Sequence, residues 1–161
     1  MAYNDVYTGL SGSVTVAQTT ALAICSAFGT AAKRTWVVGV RVKIGATTAA
    51  AGNDVRFQLA RPGNTPNASS TAGGGAHDFY APASIGQFAT AYTTAPTVGT
   101  ILAEWMVPQT TGSMWEEFPP LGYEWQIPAI ANNAANNGVH LFATASVATS
   151  TPIVADIIFS Q

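Results

Sequence analysis

The residue types that support catalysis are few in this chain and widely spaced. His77 and His140 are the only histidines, and neither lies in an H-x-H, H-E-x-x-H or C-x-x-C arrangement that would supply a metal site. The chain also lacks a G-x-S-x-G sequence, which would place a nucleophilic serine on a strand-to-helix turn. The only cysteine, Cys25, lies in the apolar run 21-ALAICSAF-28, where we expect a buried thiol and no disulfide within the chain. We therefore predict no metal site and no cofactor.

Carboxylates offer one further route to chemistry, because glycoside hydrolysis uses two of them, one on each side of the bond that breaks. Glu116 and Glu117 are neighbours on a predicted strand, so their side chains point to opposite faces. Glu104 and Glu124 each precede a tryptophan on a predicted strand and could share an outer sheet face. Surface charges beside two buried tryptophans are the simpler interpretation, and we predict that the chain is not an enzyme.

One aromatic side chain keeps a binding function open. Trp105 and Trp125 fall on the apolar faces of predicted strands, so we assign them to the core. Trp115, between Met114 and Glu116, could instead be an exposed platform for a sugar. A carbohydrate-binding β-sandwich module is therefore an alternative function, with Trp115 as its candidate residue.

The composition describes one folded domain with a surface that is poor in charge. The 161 residues are 48% hydrophobic and only 9% charged, against about 25% charged in an ordinary soluble protein. Small, weakly polar residues fill the difference, as in sheet proteins with many turns and in proteins whose outer surface is buried in an assembly. Both explanations fit, and the second one favours protein partners.

The charges are segregated along the chain. All six basic residues occur before position 62 with two acidic ones, which gives +4, and the other six acidic residues follow. Oppositely charged surfaces suit subunits that pack beside one another or onto a larger shell. Six scattered cations do not form the dense patch that binds nucleic acid. No apolar run is long enough for a membrane span, and no signal peptide is evident, so we expect cytoplasmic synthesis and neither nucleic acid nor membrane as a partner.

Alternating apolar residues predict an all-β fold. The predicted strands are 13–16, 21–28, 35–44, 54–60, 101–107, 114–118, 123–127, 138–147 and 152–159. They fit a two-sheet antiparallel sandwich, which we expect to be a jelly roll, with an immunoglobulin-like sandwich as the alternative. We expect a single domain over residues 13–161, a candidate N-terminal arm over residues 1–12, and a long functional or partner-ordered loop over residues 61–84.

The strand within 34-RTWVVGVRVKIG-45 has two distinct faces. Its strict alternation places Trp36, Val38, Val40, Val42 and Ile44 on a core face and Val37, Gly39, Arg41 and Lys43 on the other. The second face is half basic and half apolar. We interpret it as a surface that another protein covers.

Four segments resemble virion proteins of tailed bacteriophages. They are 93-TTAPT-97, 115-WEEFPPLG-122, 125-WQIP-128 and 139-VHLFATASVA-148, within the last hundred residues or so. The resemblance implies a small jelly-roll homotrimer that sits on the capsid surface of the virion as a decoration, or cement, protein and contacts the major capsid protein. Related sandwiches also occur in tails and fibres, so a phage tail or fibre component is an alternative.

This resemblance suggests which residues meet other subunits or the shell. The predicted interface residues are Tyr3, Tyr7, Val37, Arg41, Lys43, Arg56 and Arg61. The two tyrosines lie in the candidate arm, which would order on a neighbouring subunit. The remaining residues would form one surface that starts on the strand 35–44.

Overall fold

The computed structural model describes residues 5–17, 20–31, 34–50, 52–69, 71–73, 75–76, 86–120, 122–127 and 137–161. Every regular element within these ranges is a β-strand. In chain order the strands are β1 (Val6–Val16), β2 (Leu22–Phe28), β3 (Thr35–Ile44), β4 (Asp54–Pro62), β5 (Asn67–Ala68), β6 (Ala72–Gly73), β7 (Gly75–Ala76), β8 (Gln87–Ala89), β9 (Tyr92–Thr94), β10 (Val98–Pro108), β11 (Met114–Glu117), β12 (Trp125–Ile127), β13 (Val139–Ala145) and β14 (Thr151–Ser160). The described residues contain no helix long and apolar enough to cross a membrane.

The strands form two antiparallel sheets that pack against each other. The first sheet has the order β11-β3-β14-β1-β7, with β12 also on β3, and the second has the order β10-β4-β13-β2-β8-β6. The strands β1, β2, β3 and β4 alternate between the sheets, β10 stays in the second sheet beside β4, β11 and β12 return to the first sheet, and β13 and β14 alternate again. The first and last long strands, β1 and β14, are neighbours. This nested order is that of a jelly roll. An immunoglobulin-like sandwich would pair its first two strands in one sheet, whereas β1 and β2 lie in different sheets. The predicted all-β sandwich is confirmed.

The core lies between the two sheets and follows the predicted alternation in most strands. Its fully or almost fully buried members include Val40, Val42, Ile44, Ile153 and Ile157 from the first sheet and Val55, Phe57, Leu59, Val139, Leu141 and Ala143 from the second. Cys25 is buried among them, as predicted, and burial raises the pKa of its thiol. The thiol is therefore a neutral core group.

A β-bulge at Val38 changes the predicted faces of β3. Gly39 pairs with Ile158 and Val37 pairs with Phe159, so Val38 has no cross-strand partner. One extra residue reverses the side of every side chain that follows it. Val37 is consequently fully buried in the core, and Trp36 is only partly buried. The prediction that Val37 belongs to an outward interface is wrong.

A second irregularity affects the start of β10. Ile101 pairs with Ala60 and Ala103 pairs with Leu59, which leaves Leu102 without a partner. Trp105 is buried, as predicted, but Ile101 is exposed although the alternation grouped the two residues together. The bulge explains the difference. The extra residue Leu102 shifts the alternation, so the side chains of Ile101 and Trp105 point to opposite sides of the sheet.

The N-terminal arm prediction is wrong for residues 6–12. They belong to β1, which pairs with β14 from Val6 opposite Ser160 to Val16 opposite Thr151. Tyr7 is fully buried and stacks on Phe159 with ring centroids 5.9 Å apart. Its aromatic ring is therefore part of the core and is not available to a neighbouring subunit. Tyr3 lies outside the described residues.

The predicted loop 61–84 is partly built into the sheets. β4 continues to Pro62, and three two-residue strands follow within the described part of the segment. Of these, β6 pairs with β8 at the edge of the second sheet and β7 pairs with β1 at the edge of the first. The segment thus connects the two sheets along one side of the sandwich. Residues 77–84, which include His77, lie outside the described residues.

Candidate interaction surface

The outward side of the first sheet gathers charged and apolar side chains from four strands. Cross-strand pairing places Leu10, Asp156, Arg41 and Glu116 in one row and Ser13, Val154, Lys43 and Met114 in the next. Side chains directly opposite each other in a sheet share a face and interact. We call this set of eight residues the outer face of the first sheet.

The apolar members of this face are exposed to solvent. Leu10 is 65% exposed and Met114 is 60% exposed, and Val154 lies between them on the central strand β14. Beside them, the ring of Phe118 lies over Gly39 and is half exposed. Neighbouring exposed apolar side chains, mixed with charges, are typical of a site where another protein binds.

A shallow hollow of about 210 Å³ lies in the middle of the face. Its lining is mostly apolar, with charged groups around it, and it includes Leu10, Arg41, Met114, Val154 and Asp156. Small-molecule sites usually enclose about 300–1,000 Å³ and cover most of their ligand. The hollow is smaller and open, so it suits a few side chains of a partner protein.

The charges of this face are incompletely paired within the chain. Arg41 Nε lies 3.9 Å from Glu116 Oε1, a long contact between two side chains that are both exposed by more than a third. Arg41 is directly opposite Asp156 in the sheet, yet Arg41 Nε and Asp156 Oδ1 have no hydrogen-bond partner among the described residues. Burial raises the pKa of Asp156, Arg41 lowers it and Glu116 raises it further. A second cation would therefore be favourable at Asp156.

Lys43 joins Arg41 on the outer face, as predicted, but Arg56 does not. Arg56 is exposed on the outward side of the second sheet, opposite Met106 of β10 and Thr144 of β13. The two sheets present these outward sides in opposite directions. A continuous basic surface that includes Arg41 and Arg56 is therefore excluded by the sandwich.

Arg61, a predicted interface residue, is hydrogen-bonded within the fold. Its Nη1 donates a hydrogen bond to the carbonyl oxygen of Gly138 at 3.3 Å, and its Nη2 donates one to the carbonyl oxygen of Gln126. Burial lowers the pKa of Arg61. The guanidinium thus links the end of β4 to the ends of β12 and β13, and carbonyl groups accept hydrogen bonds from both of its Nη atoms.

The variant Arg61→Met is expected to lower the free energy of unfolding by about 2 kcal/mol, because hydrogen bonds to charged groups contribute roughly 1.5–3 kcal/mol each and this site is partly exposed. Urea denaturation of the variant and the parent chain measures the difference. Arg56→Met is the matched control and should stay within about 0.5 kcal/mol, since Arg56 is exposed. Equal losses in the two variants would contradict the structural role of Arg61.

A serine–histidine pair lies on the opposite side of the molecule. Ser26 Oγ lies 2.6 Å from His140 Nδ1 and 2.6 Å from the hydroxyl of Tyr92. His140 Nε2 lies 3.2 Å from the carbonyl oxygen of Asn137 and must donate to it. In the neutral ring Nδ1 therefore accepts the proton of Ser26, which in turn accepts a hydrogen bond from Tyr92.

Burial prevents this pair from acting on a substrate. Ser26 and His140 have no exposed surface, and no described carboxylate hydrogen-bonds to the ring. His140 is buried although it alternates with the core residues of β13, because the outward side of the second sheet is covered at this position and Phe28 and Phe142 pack on the imidazole. The nearly continuous apolar run of β13 is the sequence signal of burial on both faces. Burial lowers the pKa of His140 to about 4.

The glutamates considered for hydrolysis do not meet. Glu104 Oε2 accepts a hydrogen bond from Gln58 Nε2 at 2.5 Å on the second sheet. Glu124 Oε1 accepts one from the backbone amide of Gly122 at 2.8 Å, next to β12 of the first sheet. The described part of the chain also contains no group of three or more His, Cys, Asp and Glu side chains that could hold a metal ion.

Comparisons with protein-family models and with curated proteins add no relative to this description. No protein-family model matches the chain. A search of curated proteins gives no match either.

Proposed function

We propose that this chain is a structural virion protein and not an enzyme: a capsid decoration, or cement, protein of a tailed bacteriophage. It is made in the host cytoplasm, trimerises, and binds the outside of the phage head, where it contacts the major capsid protein and stabilises the shell. The observation that carries the proposal is the outer face of the first sheet, which exposes Leu10, Met114 and Val154 among four charges. The phage-like segments described above support the same assignment.

The face has the physical properties that a shell-binding subunit needs. Its four strands are hydrogen-bonded to one another, so the backbone of the face is held in position before a partner arrives and little backbone entropy is lost on binding. A trimer presents three such subunits together, and the effective concentration of the second and third contacts strengthens binding well beyond that of one subunit.

The experiment that tests the proposal is the composition of purified virions of the phage or prophage that encodes the chain. Mass spectrometry of separated heads and tails should find the chain in the head fraction at a fixed ratio to the major capsid protein. Heads that lack the chain should open at a lower temperature and regain stability when purified chain is added. Recovery in the tail fraction would favour a tail or fibre component, and absence from both fractions would overturn the proposal.

Carbohydrate binding is the second candidate function, because two aromatic side chains are exposed near the β11 and β12 edge of the first sheet. Trp115 is 42% exposed and Tyr123 is 76% exposed. Exposed aromatic rings can stack on sugars, and jelly rolls are a frequent lectin architecture. A glycan array with the parent chain and Trp115→Ala decides this alternative: binding that falls about tenfold or more in the variant supports it, and no binding by the parent chain ends it.

A further inference from the structure

We infer that the outer face of the first sheet binds a second copy of this chain, face to face, with the two copies related by a two-fold axis. The inference rests on the proposed function in one respect, namely that this face is covered by protein. We infer that the covering protein is an identical chain, and the alternative that the test must exclude is the capsid shell.

The positions of the charges make this face complementary to itself. Arg41 on β3 and Asp156 on β14 are directly opposite each other on the two adjacent central strands. A two-fold axis that runs parallel to these strands and between them places Arg41 of each copy on Asp156 of the other. Such reciprocal contacts, in which residue i meets j and j meets i, define a two-fold interface.

The other charges of the face are compatible with the same axis. It places Glu116 of one copy over Leu10 of the other and Lys43 over Val154, because each row of the sheet is reversed across the axis. No like charges meet in this arrangement. The face carries two cations and two carboxylates, so its formal charge sums to zero and an identical face does not repel it.

The two central charges are not hydrogen-bonded to each other within one copy, although their residues are neighbours in the sheet. Arg41 Nε and Asp156 Oδ1 lack hydrogen-bond partners among the described residues and are shielded from solvent, so a second copy would meet the exposed end of the Arg41 guanidinium and the other carboxylate oxygen of Asp156. A second copy brings a guanidinium to each carboxylate and a carboxylate to each guanidinium. Charge-assisted pairs of this type are stronger than neutral hydrogen bonds, above all where they are partly desolvated.

The apolar side chains of the face are covered in the same arrangement, Leu10 by Glu116 and Val154 by Lys43 of the opposite copy. Sheets that pack face to face lie about 10 Å apart and interdigitate their side chains. The hollow of about 210 Å³ leaves room for side chains of the opposite copy between Leu10 and Met114. The exposed Leu10 and Met114 would then be covered by protein.

The test exchanges the two central charges and measures molecular mass by sedimentation equilibrium. Arg41→Asp and Asp156→Arg should each weaken self-association about 30-fold or more, since loss of a close charge pair across an interface has effects of this order. The double variant Arg41→Asp/Asp156→Arg restores the pairing across the axis and should return to within about tenfold of the parent affinity. Arg56→Asp, on the second sheet, is the control and should leave self-association unchanged.

A further variant keeps the central charges and shows whether weaker self-association comes from loss of the contact or from misfolding. Met114→Glu changes a side chain that is 60% exposed, so it should fold normally by circular dichroism and still weaken self-association. The parent chain should contain an even number of copies: a dimer, or a hexamer if the proposed trimer forms through other surfaces. A monomer, or a trimer whose mass is unchanged in every variant, would overturn the two-fold contact.

The two proposals fail in distinguishable ways. If the single charge variants lose binding to purified heads without any change in mass, and the double variant does not regain it, the shell occupies the face and the two-fold contact is wrong. If the charge exchange alters and restores self-association but the chain is absent from virions, the two-fold contact stands and the virion function is wrong.

Discussion

Acidification from pH 6.5 to pH 4 is expected to remove about 3 kcal/mol from the free energy of unfolding through His140. The pKa of His140 is about 4 in the folded protein, against 6.5 for a histidine in water, and each pKa unit corresponds to about 1.36 kcal/mol. Because the folded pKa is the lower one, the unfolded chain takes up the proton first. The stabilisation is complete above pH 6.5 and is lost as the pH falls toward 4.

The loss comes from the buried charge and not from broken hydrogen bonds. Once protonated, Nδ1 would donate to Ser26, whose hydroxyl could turn toward Tyr92, and the Tyr92 hydroxyl already lies 3.3 Å from the carbonyl oxygen of Ala89. The chain of hydrogen bonds can thus reverse its direction. Desolvation is the main cause of the low pKa, and the positive charge of Arg61 lowers it further, while the hydrogen bond to Asn137 raises it.

Urea denaturation between pH 4 and pH 7 measures the effect, and His140→Gln should flatten the slope of stability against pH within this window. Asp156 acts in the opposite direction, since its raised folded pKa favours the folded state at acid pH, and it is unchanged in the variant. His77→Gln controls for the only other histidine of the chain. A slope that disappears in His77→Gln and persists in His140→Gln would contradict the assignment.

The sequence allowed most strands to be predicted because alternation reports directly which side chains face the core. The segments 54–60 and 138–147 correspond closely to β4 and β13, and their inward residues are buried. Alternation could not show the bulge at Val38. The segments before and after an extra residue both alternate normally, and the bulge changes only which positions of one segment face the same side as those of the other. Val37 was assigned to the wrong face for this reason alone.

The candidate surface could be predicted only where one strand defines it. Arg41 and Lys43 share a face because they are two residues apart on β3. Their neighbours Asp156 and Leu10 come from β14 and β1, more than one hundred residues and about thirty residues away along the chain, and only the strand register brings them together. Arg61 differs again, because nothing in its local sequence shows that backbone carbonyl groups bind its guanidinium.

The second large effect is expected at Gly9, where the variant Gly9→Ala should lower the free energy of unfolding by about 3 kcal/mol. A Cβ atom at Gly9 would overlap the ring of Phe88, which is almost fully buried in the core. Overpacking of a dense core costs roughly 1–3 kcal/mol, and a buried ring has little room to move. The backbone of Gly9 is not in the left-handed region, so the loss would be steric alone.

Gly39→Ala is the matched control, because the same change on the same sheet meets a ring that can move. A Cβ atom at Gly39 would overlap Phe118, but this ring is half exposed on the outer face and can swing into solvent. Alanine is also favoured over glycine in strands by about 0.5–1 kcal/mol, so the net change should stay below about 1 kcal/mol.

Thermal and urea denaturation of both variants give the comparison. The double variant Gly9→Ala/Phe88→Ala should lose less stability than the sum of its single changes, because the second substitution removes the overlap. Equal losses in Gly9→Ala and Gly39→Ala would show that core packing does not distinguish the two faces of the first sheet, and the assignment of its outer face to a protein partner would lose its structural basis.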